Sequence, residues 1–437
     1  MNRIDLFNHL IDLLESSHFK YALVGVTEGY PEEIGSDVDI MIPYEEIEQF
    51  HRIIWNLQND EIKAAQMLQH EIVAFFYVFF QISNNKIQYI QPDVCTNFYR
   101  KGRLFLESSY LLADTRYAKR EDGTFKNFKI LSPDKEFIYY LIKKIDKGNI
   151  RKFQFNHLEE CWIKEPDQCR KELQKIWNQE QVDIIRQAFD TNEMKIVADR
   201  IQLLQHCMRA KKKKRTGDTA NDILLKIKRI LHPTGYTIAI MGPDGSGKTT
   251  VINQLKEDIF PAFRRIQQFH LYPITQKESV PDTNPQGKTP RGKFKSFLKL
   301  LYFVIIYIKG NLLKVYPARI RSTLTIFDRY YDDILIDPIR YRNSVSSKWV
   351  KRVGHLIPQP DLWIVLDAPT PIIQQRKAEV SAEETERQRN AYLEFAKSKK
   401  NALLVDTNRD IENISVDICK FMIENLNKRT IRRYKQK

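Results

Sequence analysis

Residues 242–249 (GPDGSGKT) constrain this chain more than any other feature of its sequence. They fit the pattern G-x-x-x-x-G-K-[ST] at every fixed position. The apolar run 237–241 before them predicts a strand, and the residues after them (VINQLKEDI) predict a helix. Glycines at these positions let backbone N–H groups converge on phosphate oxygens, and a helix N-terminus adds a favourable field for anions. The segment therefore predicts a phosphate-binding loop (P-loop).

The residue types in this loop predict individual roles in binding a nucleoside triphosphate. Lys248 is expected to bridge the β- and γ-phosphates, and Thr249 is expected to be a ligand of Mg²⁺. The expected cofactors are therefore ATP and Mg²⁺. The residues expected to contact the nucleotide here are Gly242, Asp244, Gly245, Ser246, Gly247, Lys248, Thr249 and Thr250.

From Tyr236 onward, apolar runs of strand length alternate with helical stretches. This alternation is typical of a parallel sheet that helices cover on both faces. The C-terminal part is therefore predicted to have an α/β fold. Its predicted strands are residues 237–241, 265–271, 322–327, 362–367 and 402–406.

The third predicted strand ends in the tetrapeptide Phe327-Asp328-Arg329-Tyr330. Together with GPDGSGKTT, it resembles the motifs of the thymidylate kinase family of nucleoside monophosphate kinases, over roughly residues 236–425. The resemblance implies ATP-dependent phosphoryl transfer by a P-loop kinase. It also implies a five-stranded parallel sheet with the strand order 2-3-1-4-5.

Further site residues are expected at the ends of the predicted strands, where ligands bind in open parallel sheets. The Asp328 carboxylate is expected to hold Mg²⁺ or to orient the acceptor, and Arg329 to clamp an acceptor phosphate; a surface salt bridge is the alternative. The resemblance further implies that Asp244 contacts a sugar hydroxyl and that Arg409 contacts adenine. The candidate cations over the transferring group, with a solvated charged helix as the alternative, are Arg376, Arg387 and Arg389.

The acceptor side departs from the family pattern. Thymidylate kinases carry a stretch resembling Phe-x-x-Arg-Glu-Pro-Gly-Gly-Thr after strand two, whereas residues 269–273 here read FHLYP and no glycine pair follows. The expected acceptor is therefore left open between a nucleoside monophosphate and another phosphorylated or sugar-type molecule.

A second chemical signal lies near the N-terminus, in a part of the chain whose pattern is α+β. Asp37 and Asp39 stand one residue apart on a predicted strand, so their side chains project to the same face. Paired carboxylates suit metal ions bound to a nucleoside triphosphate. Asp93 is the candidate third carboxylate, and Pro92 is expected to confine its strand to a sheet edge or an irregular segment.

This arrangement resembles the polymerase-β-like nucleotidyltransferases, which have a glycine turn followed by Asp-x-Asp. Gly25 lies twelve residues before Asp37 (37 − 25), as in small members of that superfamily. The resemblance implies a nucleotidyltransferase-like domain with Asp37, Asp39 and Asp93 as metal ligands. The alternative is a structural acidic turn with an unrelated aspartate.

The sequence predicts three parts. Residues 1–125 form the nucleotidyltransferase-like domain, residues 126–215 a helical domain ending in the basic run KKKKR, and residues 216–437 the thymidylate kinase-like domain. The basic run is interpreted as a solvated linker because no aromatic residues interleave with its charges. Nucleic acid is therefore not expected as a partner.

The composition favours a cytoplasmic protein with anionic partners. The net charge is +15, and the five cysteines are scattered without zinc-ligand spacing, which indicates reduced thiols. Whether the chain forms a homodimer is left open.

The apolar run 297–308 (FLKLLYFVIIYI) has basic residues on both sides. Its twelve residues are too few to cross a bilayer, which needs about 20. Two alternatives remain: a peripheral membrane contact, or a buried helix that walls the acceptor pocket. Apolar residues in nearly every direction around the helix favour burial.

Two functions from different classes fit these observations. The first is a kinase fused to a nucleotidyltransferase-like domain whose own activity is uncertain. The second is a non-catalytic, regulatory nucleotide-binding protein in which ATP binding switches the contacts between domains. Arg329 and the candidate cations Arg376, Arg387 and Arg389 favour the enzyme, because a switch needs no acceptor clamp.

Overall fold

The computed structural model divides the chain into two compact units. Unit 1 comprises Met1–Gln81 with Gln88–Ile227, and unit 2 comprises Ile82–Ile87 with Lys228–Lys437. The residues that the structure describes are 2–71, 74–83, 85–100, 102–120, 122–211, 216–273 and 291–435.

Unit 1 combines a mixed sheet with two groups of helices. Its strands are β1 (Ala22–Leu23), β2 (Val38–Met41), β3 (Ile62–Glu71), β4 (Ala74–Ser83), β5 (Lys86–Ile90), β6 (Pro92–Cys95), β7 (Phe98–Arg100), β8 (Arg103–Leu106), β9 (Thr115–Lys119) and β10 (Phe125–Leu131). Its helices are α1 (Arg3–Ser16), α2 (Ile47–Trp55) after a 3₁₀ turn (Tyr44–Glu46), α3 (Ser108–Leu111), α4 (Pro133–Lys147), α5 (Lys152–Lys164), α6 (Pro166–Ile176), α7 (Gln179–Asp190), α8 (Met194–Asp199) and α9 (Ile201–Ala210).

The main sheet of unit 1 has the order β3-β4-β6-β2-β1-β10-β9, with β5 paired to β4. The strands β2 and β6 run parallel, with Asp39 opposite Asp93. Pro92 is the first residue of β6, and β6 lies between β4 and β2. The expected edge position is therefore wrong; proline is tolerated there because it begins the strand.

Apolar residues of α1 and α2 pack on strand residues in one core of unit 1, and α4–α9 pack in a second core that also contains Ala22, Val24 and Met41. The helical region thus shares a core with the sheet. The finer division of this unit at residue 125 stays a prediction.

Unit 2 alternates strands and helices. Its strands are β11 (Tyr236–Met241), β12 (Arg265–His270), β13 (Thr323–Asp328), β14 (Leu362–Asp367) and β15 (Ala402–Asp406). Helix α10 (Thr216–Leu231) contains residues of both units. The other helices of unit 2 are α11 (Lys248–Ile259) with a 3₁₀ turn (Phe260–Ala262), α12 (Lys293–Gly310), a π-helical turn (Asn311–Val315), α13 (Tyr316–Ile320), α14 (Asp333–Ile336), α15 (Ser347–Gly354), α16 (Thr370–Arg376), α17 (Ala382–Ser398) and α18 (Ile411–Lys435).

The five strands of unit 2 form one all-parallel sheet, which confirms the predicted α/β fold. They lie in the order β12-β13-β11-β14-β15, so β11 is central. Residues of α12, α15 and α17 share one core with strand residues, and α11 packs with α18. The carboxyl ends of β11 and β13 are adjacent, and this is where the candidate site lies.

The apolar helix differs from the sequence expectation in length and in burial. The continuous helical segment Lys293–Ile320 has 28 residues, and by length and composition it could cross a membrane. The length expected from the apolar run, twelve residues, was wrong because the helix continues through the more polar residues at both ends. Leu300, Phe303 and Tyr307 are buried, but Ile305 is 63% exposed. The expected burial therefore holds for one face only.

Some sequence features lie outside the described residues. They include residues 212–215 of the basic run and residues 274–290, which follow the stretch FHLYP. The five cysteines are all described, and all five are free thiols.

Candidate active site

The phosphate-binding loop joins the end of β11 to the start of α11, as the sequence predicts. Gly242 and Gly245 have φ values of 150° and 86°. A Cβ at Gly242 would lie 2.7 Å from the carbonyl oxygen of Leu366, and one at Gly245 would lie 2.8 Å from that of Ile373. Both positions therefore need glycine, for the backbone conformation and for the close approach of neighbouring backbone.

Lys248, the first residue of α11, is directed back over this loop. Its Nζ donates to the carbonyl oxygens of Gly242 (2.9 Å) and Pro243 (2.8 Å), and the residue is only 8% exposed. Burial, followed by the positive charge of Arg329, lowers the pKa of Lys248 to about 8. An anion bound beside this ammonium group would stabilise its charged form.

Asp244 lies between two guanidinium groups. Its Oδ1 accepts from Arg329 and its Oδ2 accepts from Arg340. Burial works to raise the pKa of Asp244, but the charges of Arg329 and Lys248 outweigh it and lower the pKa far below its usual value. Asp244 thus links the phosphate-binding loop to two cations that come from later in the chain.

Arg329 directly follows β13 and is held in one position. Its backbone has a φ of 67°, and its N–H donates to the carbonyl oxygen of Ile240 on β11. The guanidinium donates to Asp333 Oδ2 (2.7 Å) and to the Tyr392 hydroxyl (3.0 Å). A positive φ is costly for arginine, so such a residue persists only where its surroundings fix it.

Asp328, the last residue of β13, lies opposite Ile240 and His270 on the neighbouring strands. Its Oδ2 is 3.4 Å from His270 Nδ1. Burial raises the pKa of Asp328, but the hydrogen bond from His270 and the charge of Lys248 lower it on balance. The carboxylate is therefore ionised at neutral pH.

Two buried oxygens at the loop have no hydrogen-bond partner within the described part of the chain. They are Oδ1 of Asp328 and Oγ of Ser246. Buried polar atoms normally have partners, so orphaned ones indicate a missing ligand or solvent. A free carboxylate oxygen beside a glycine-lined loop suits Mg²⁺ and the phosphates of ATP, and the residues present therefore fit both.

The four arginines predicted to act on the transferring group or on adenine have partners elsewhere. Arg376 donates to the carbonyl oxygen of Thr407 (3.0 Å), and Arg387 pairs with Glu384 (2.7 Å). Arg389 pairs with Asp367 (2.9 Å), and Arg409 with Asp417 (2.9 Å). Among the contacts of the described residues, none of these four arginines donates to the phosphate-binding loop.

Thr249 and Thr250 are exposed in the first turn of α11. The sequence alone did not identify four residues that hydrogen-bond within the cluster around Asp244 and Arg329. Arg340 reaches Asp244 from 96 positions away, and Asp333 is fully buried between Arg329 and the hydroxyls of Tyr392 and Tyr341. The acidic pair Asp332-Asp333, one residue beyond the Asp-Arg-Tyr motif, was the available signal.

In unit 1, Gly25 (φ 90°) turns the chain beside Asp39, and its N–H donates to Glu136 Oε1 (2.9 Å). Asp39 Oδ1 lies 3.1 Å from Nζ of Lys143, which the sequence analysis missed. Burial works to lower the pKa of Lys143, but Tyr139 and Asp39 raise it well above its usual value. The Asp39 carboxylate is therefore already paired with a cation of the protein itself, the ammonium group of Lys143.

Asp37 accepts a hydrogen bond from the Ser36 hydroxyl (2.8 Å). In the described portion of the chain, no group of three or more His, Cys, Asp or Glu side chains could hold a metal ion. The structure thus places Asp39 and Asp93 on neighbouring strands without gathering the three predicted carboxylates into such a group.

Comparisons with known proteins identify relatives for less than half of the chain. No protein-family model matches the sequence. A probable thymidylate kinase 1 of Saccharolobus solfataricus is 30% identical over 200 residues, which are 43% of this chain and 97% of that protein. A probable thymidylate kinase of Pyrobaculum aerophilum is 26% identical over 204 residues, covering 42% of this chain and 95% of its own.

The thymidylate kinase of Oenococcus oeni is 25% identical over 214 residues, which are 44% of this chain and 97% of that protein. Among solved structures, the thymidylate kinase of Ehrlichia chaffeensis matches 43% of this chain and 98% of its own, with 16% identity and a TM-score of 0.31.

Proposed function

The chain belongs, over part of its length, to the thymidylate kinase family, and from this membership we propose that unit 2 transfers the γ-phosphoryl group of ATP to a phosphorylated acceptor. One observation carries the proposal. Lys248 and the Asp244–Arg329–Arg340 cluster meet at the adjacent carboxyl ends of β11 and β13. Cations on both sides of one loop suit a donor phosphate and an acceptor phosphate that must approach each other.

On the donor side, the loop amides and Lys248 would hold the β- and γ-phosphates. Thr249 and Asp328 would hold Mg²⁺, which when bound neutralises phosphate charge. Since its pKa is about 8 without ligand, Lys248 is mostly protonated at neutral pH and can place a full positive charge beside the transferring group.

On the acceptor side, Arg329 and Arg340 would bind the acceptor phosphate. Asp244 pairs with both guanidinium groups while no acceptor is bound, and it keeps them oriented. Two guanidiniums favour a phosphate over an uncharged hydroxyl group, because arginine binds phosphate oxygens through paired charge-assisted hydrogen bonds. A nucleoside monophosphate, thymidylate included, is therefore the first acceptor class to test, ahead of an unphosphorylated sugar.

The test is ADP formation from Mg·ATP with a panel of acceptors: nucleoside monophosphates, sugar phosphates, lipid-linked phosphates and unphosphorylated sugars. We expect turnover only with phosphate-bearing acceptors, and a raised acceptor KM for Arg340→Ala with the ATP KM unchanged. Turnover with unphosphorylated sugars alone would refute the acceptor class. Tight ATP binding without turnover for any acceptor would favour the regulatory alternative.

For unit 1, we infer a second site that binds a nucleoside triphosphate. The observation that favours it is the turn at Gly25 beside Asp39, with Asp93 opposite on the neighbouring parallel strand. A glycine turn next to paired carboxylates supports the predicted nucleotidyltransferase-like site. The test is whether the full chain binds two nucleoside triphosphates, of which one is lost when Asp39 is changed.

A further inference from the structure

Helix α12 has two apolar faces, of which one belongs to the core of unit 2. Leu300, Phe303, Val304 and Tyr307 are buried in a cluster that includes strand residues. The Tyr307 ring lies 4.8 Å from the ring of Tyr330, and its hydroxyl donates to the carbonyl oxygen of Leu271. This face fixes the helix to the kinase fold.

The opposite face of the same helical segment is apolar and exposed. The exposed fractions of its side chains run from 37% at Leu301 to 74% at Phe294. Successive residues are spaced by four, three, four, three and four positions, which places them on one stripe of a helix. This surface, the α12 apolar face, comprises Phe294, Leu298, Leu301, Ile305, Ile308 and Leu312, with Tyr302 and Leu313 beside it.

The charged residues of the helical segment itself all have one sign. The helical segment Lys293–Ile320 contains no Asp or Glu, and its lysines are Lys293, Lys295, Lys299, Lys309 and Lys314. Its one arginine, Arg319, pairs with Asp361 (3.1 Å). Neighbouring helix α15 adds Lys351 and Arg352, both exposed, and Trp349, which is 47% exposed and packs edge-on against Phe297 at 6.0 Å. An apolar stripe with a basic rim and a tryptophan is typical of interfacial membrane helices.

We propose that the α12 apolar face binds an anionic lipid bilayer, with the helix lying in the plane of the membrane surface. The apolar side chains would enter the boundary between headgroups and acyl chains, and the lysines would contact anionic headgroups. Charge complementarity selects this partner.

Two other occupants fit less well. A second copy of this chain, docked symmetrically through the same face, would bring two basic rims together without acidic residues from this segment to pair them. A membrane-spanning arrangement would need the buried face, including Phe303 and Tyr307, to leave the core of unit 2.

The test is co-sedimentation of the full chain with vesicles of equal parts phosphatidylcholine and phosphatidylglycerol. We expect binding at low salt, much weaker binding to pure phosphatidylcholine, and release as salt screens the charges. Ile305→Glu should lower the apparent affinity at least about 10-fold, because it places a carboxylate in the apolar boundary. Since Ile305 is exposed, this variant should fold normally, which circular dichroism checks.

The matched control is Ile163→Glu, which changes an equally apolar, 70% exposed residue of α5 in unit 1 and should bind vesicles as the unaltered chain does. Lys295→Glu combined with Lys309→Glu should remove the preference for phosphatidylglycerol, whereas Lys420→Glu on α18 should not. Lys248→Ala should bind normally, so failure of the kinase proposal would not affect this result.

Three outcomes would overturn the proposal. They are a protein that stays in the supernatant at low salt, an Ile305→Glu variant that sediments as the unaltered chain does, and a dimer without vesicles that Ile305→Glu converts to a monomer in analytical ultracentrifugation. The last outcome would assign the face to a second copy of the chain.

Discussion

Each unit of this protein places a largely buried lysine beside carboxylates, and the pKa values of the two lysines shift in opposite directions. The pKa of Lys248 in unit 2 is lowered to about 8, because burial is joined by repulsion from Arg329. The pKa of Lys143 in unit 1 is raised well above its usual value, because Tyr139 and Asp39 outweigh the effect of burial. The neighbouring charges therefore decide the direction, since both lysines are largely shielded from water.

This difference separates two kinds of site. Lys248 carries a positive charge that its surroundings compensate incompletely, so an anionic ligand would stabilise it. Lys143 already has its counter-ion in Asp39, at 3.1 Å. The charge of Lys248 thus favours phosphate binding in unit 2. In unit 1, Asp39, which is expected to bind a metal ion, is already paired with Lys143.

The strongest test of this contrast is Lys248→Ala. It should lower the rate of phosphoryl transfer by at least about 10³-fold, because it removes a charge that acts on the transferring group. The measurement is ADP formation under saturating ATP, with circular dichroism to establish that the variant is folded.

Lys256→Ala, which removes a lysine from the same helix, is the control for Lys248→Ala and should keep normal turnover. Its Nζ donates to the Gln268 side chain and lies away from the loop. Equal losses in both variants would contradict the assignment of Lys248.

Arg329→Ala should destabilise the protein by about 3 kcal/mol, because it leaves Asp333 as a buried carboxylate without its cation. Chemical denaturation measures this loss in the free energy of unfolding. Arg387→Ala removes a more exposed partner of Glu384 and should cost less than about 1 kcal/mol. A loss below about 1 kcal/mol in Arg329→Ala would show that the ion pair with Arg329 does not stabilise Asp333.

In unit 1, Asp39→Asn should weaken Mg²⁺-dependent binding of a nucleoside triphosphate by about 100-fold, because it removes a proposed ligand charge. The substitution keeps an oxygen for Lys143 but removes its counter-ion, so circular dichroism must show that the variant is folded. Calorimetry on the full chain should show two nucleotide-binding events in the unaltered protein and the weakening of one of them in Asp39→Asn. Asp12→Ala, at an exposed position of α1, should bind normally, and unchanged binding by Asp39→Asn would leave unit 1 without a nucleotide site.

The smallest expected effect is a pH dependence of ATP binding. Below pH 8, Lys248 is protonated in the free and the bound protein, so its titration does not alter the affinity. Above pH 8 the free protein loses this proton and binding must restore it, so Kd should rise by up to about 10-fold per pH unit. Lys248→Arg stays protonated and should show a flat profile; a slope of the same size in that variant would exclude Lys248 as its source.

Local features of the sequence determined the sheet of unit 2 and its phosphate-binding loop. The strands Leu362–Asp367 and Ala402–Asp406 have the predicted bounds. Buried parallel strands are continuous apolar runs, and a loop that needs glycines at fixed positions leaves a fixed pattern, so both can be recognised within about ten residues of sequence.

Only the tertiary structure decided which charges meet and which apolar side chains stay exposed. Arg340 reaches Asp244 across 96 positions, and Lys143 reaches Asp39 across 104. The sequence likewise predicted the apolar helix α12, but the core of unit 2 has room for only one of its faces, which leaves Ile305 exposed. Periodicity specifies what a segment can bury, whereas burial and pKa depend on neighbours that distant parts of the chain supply.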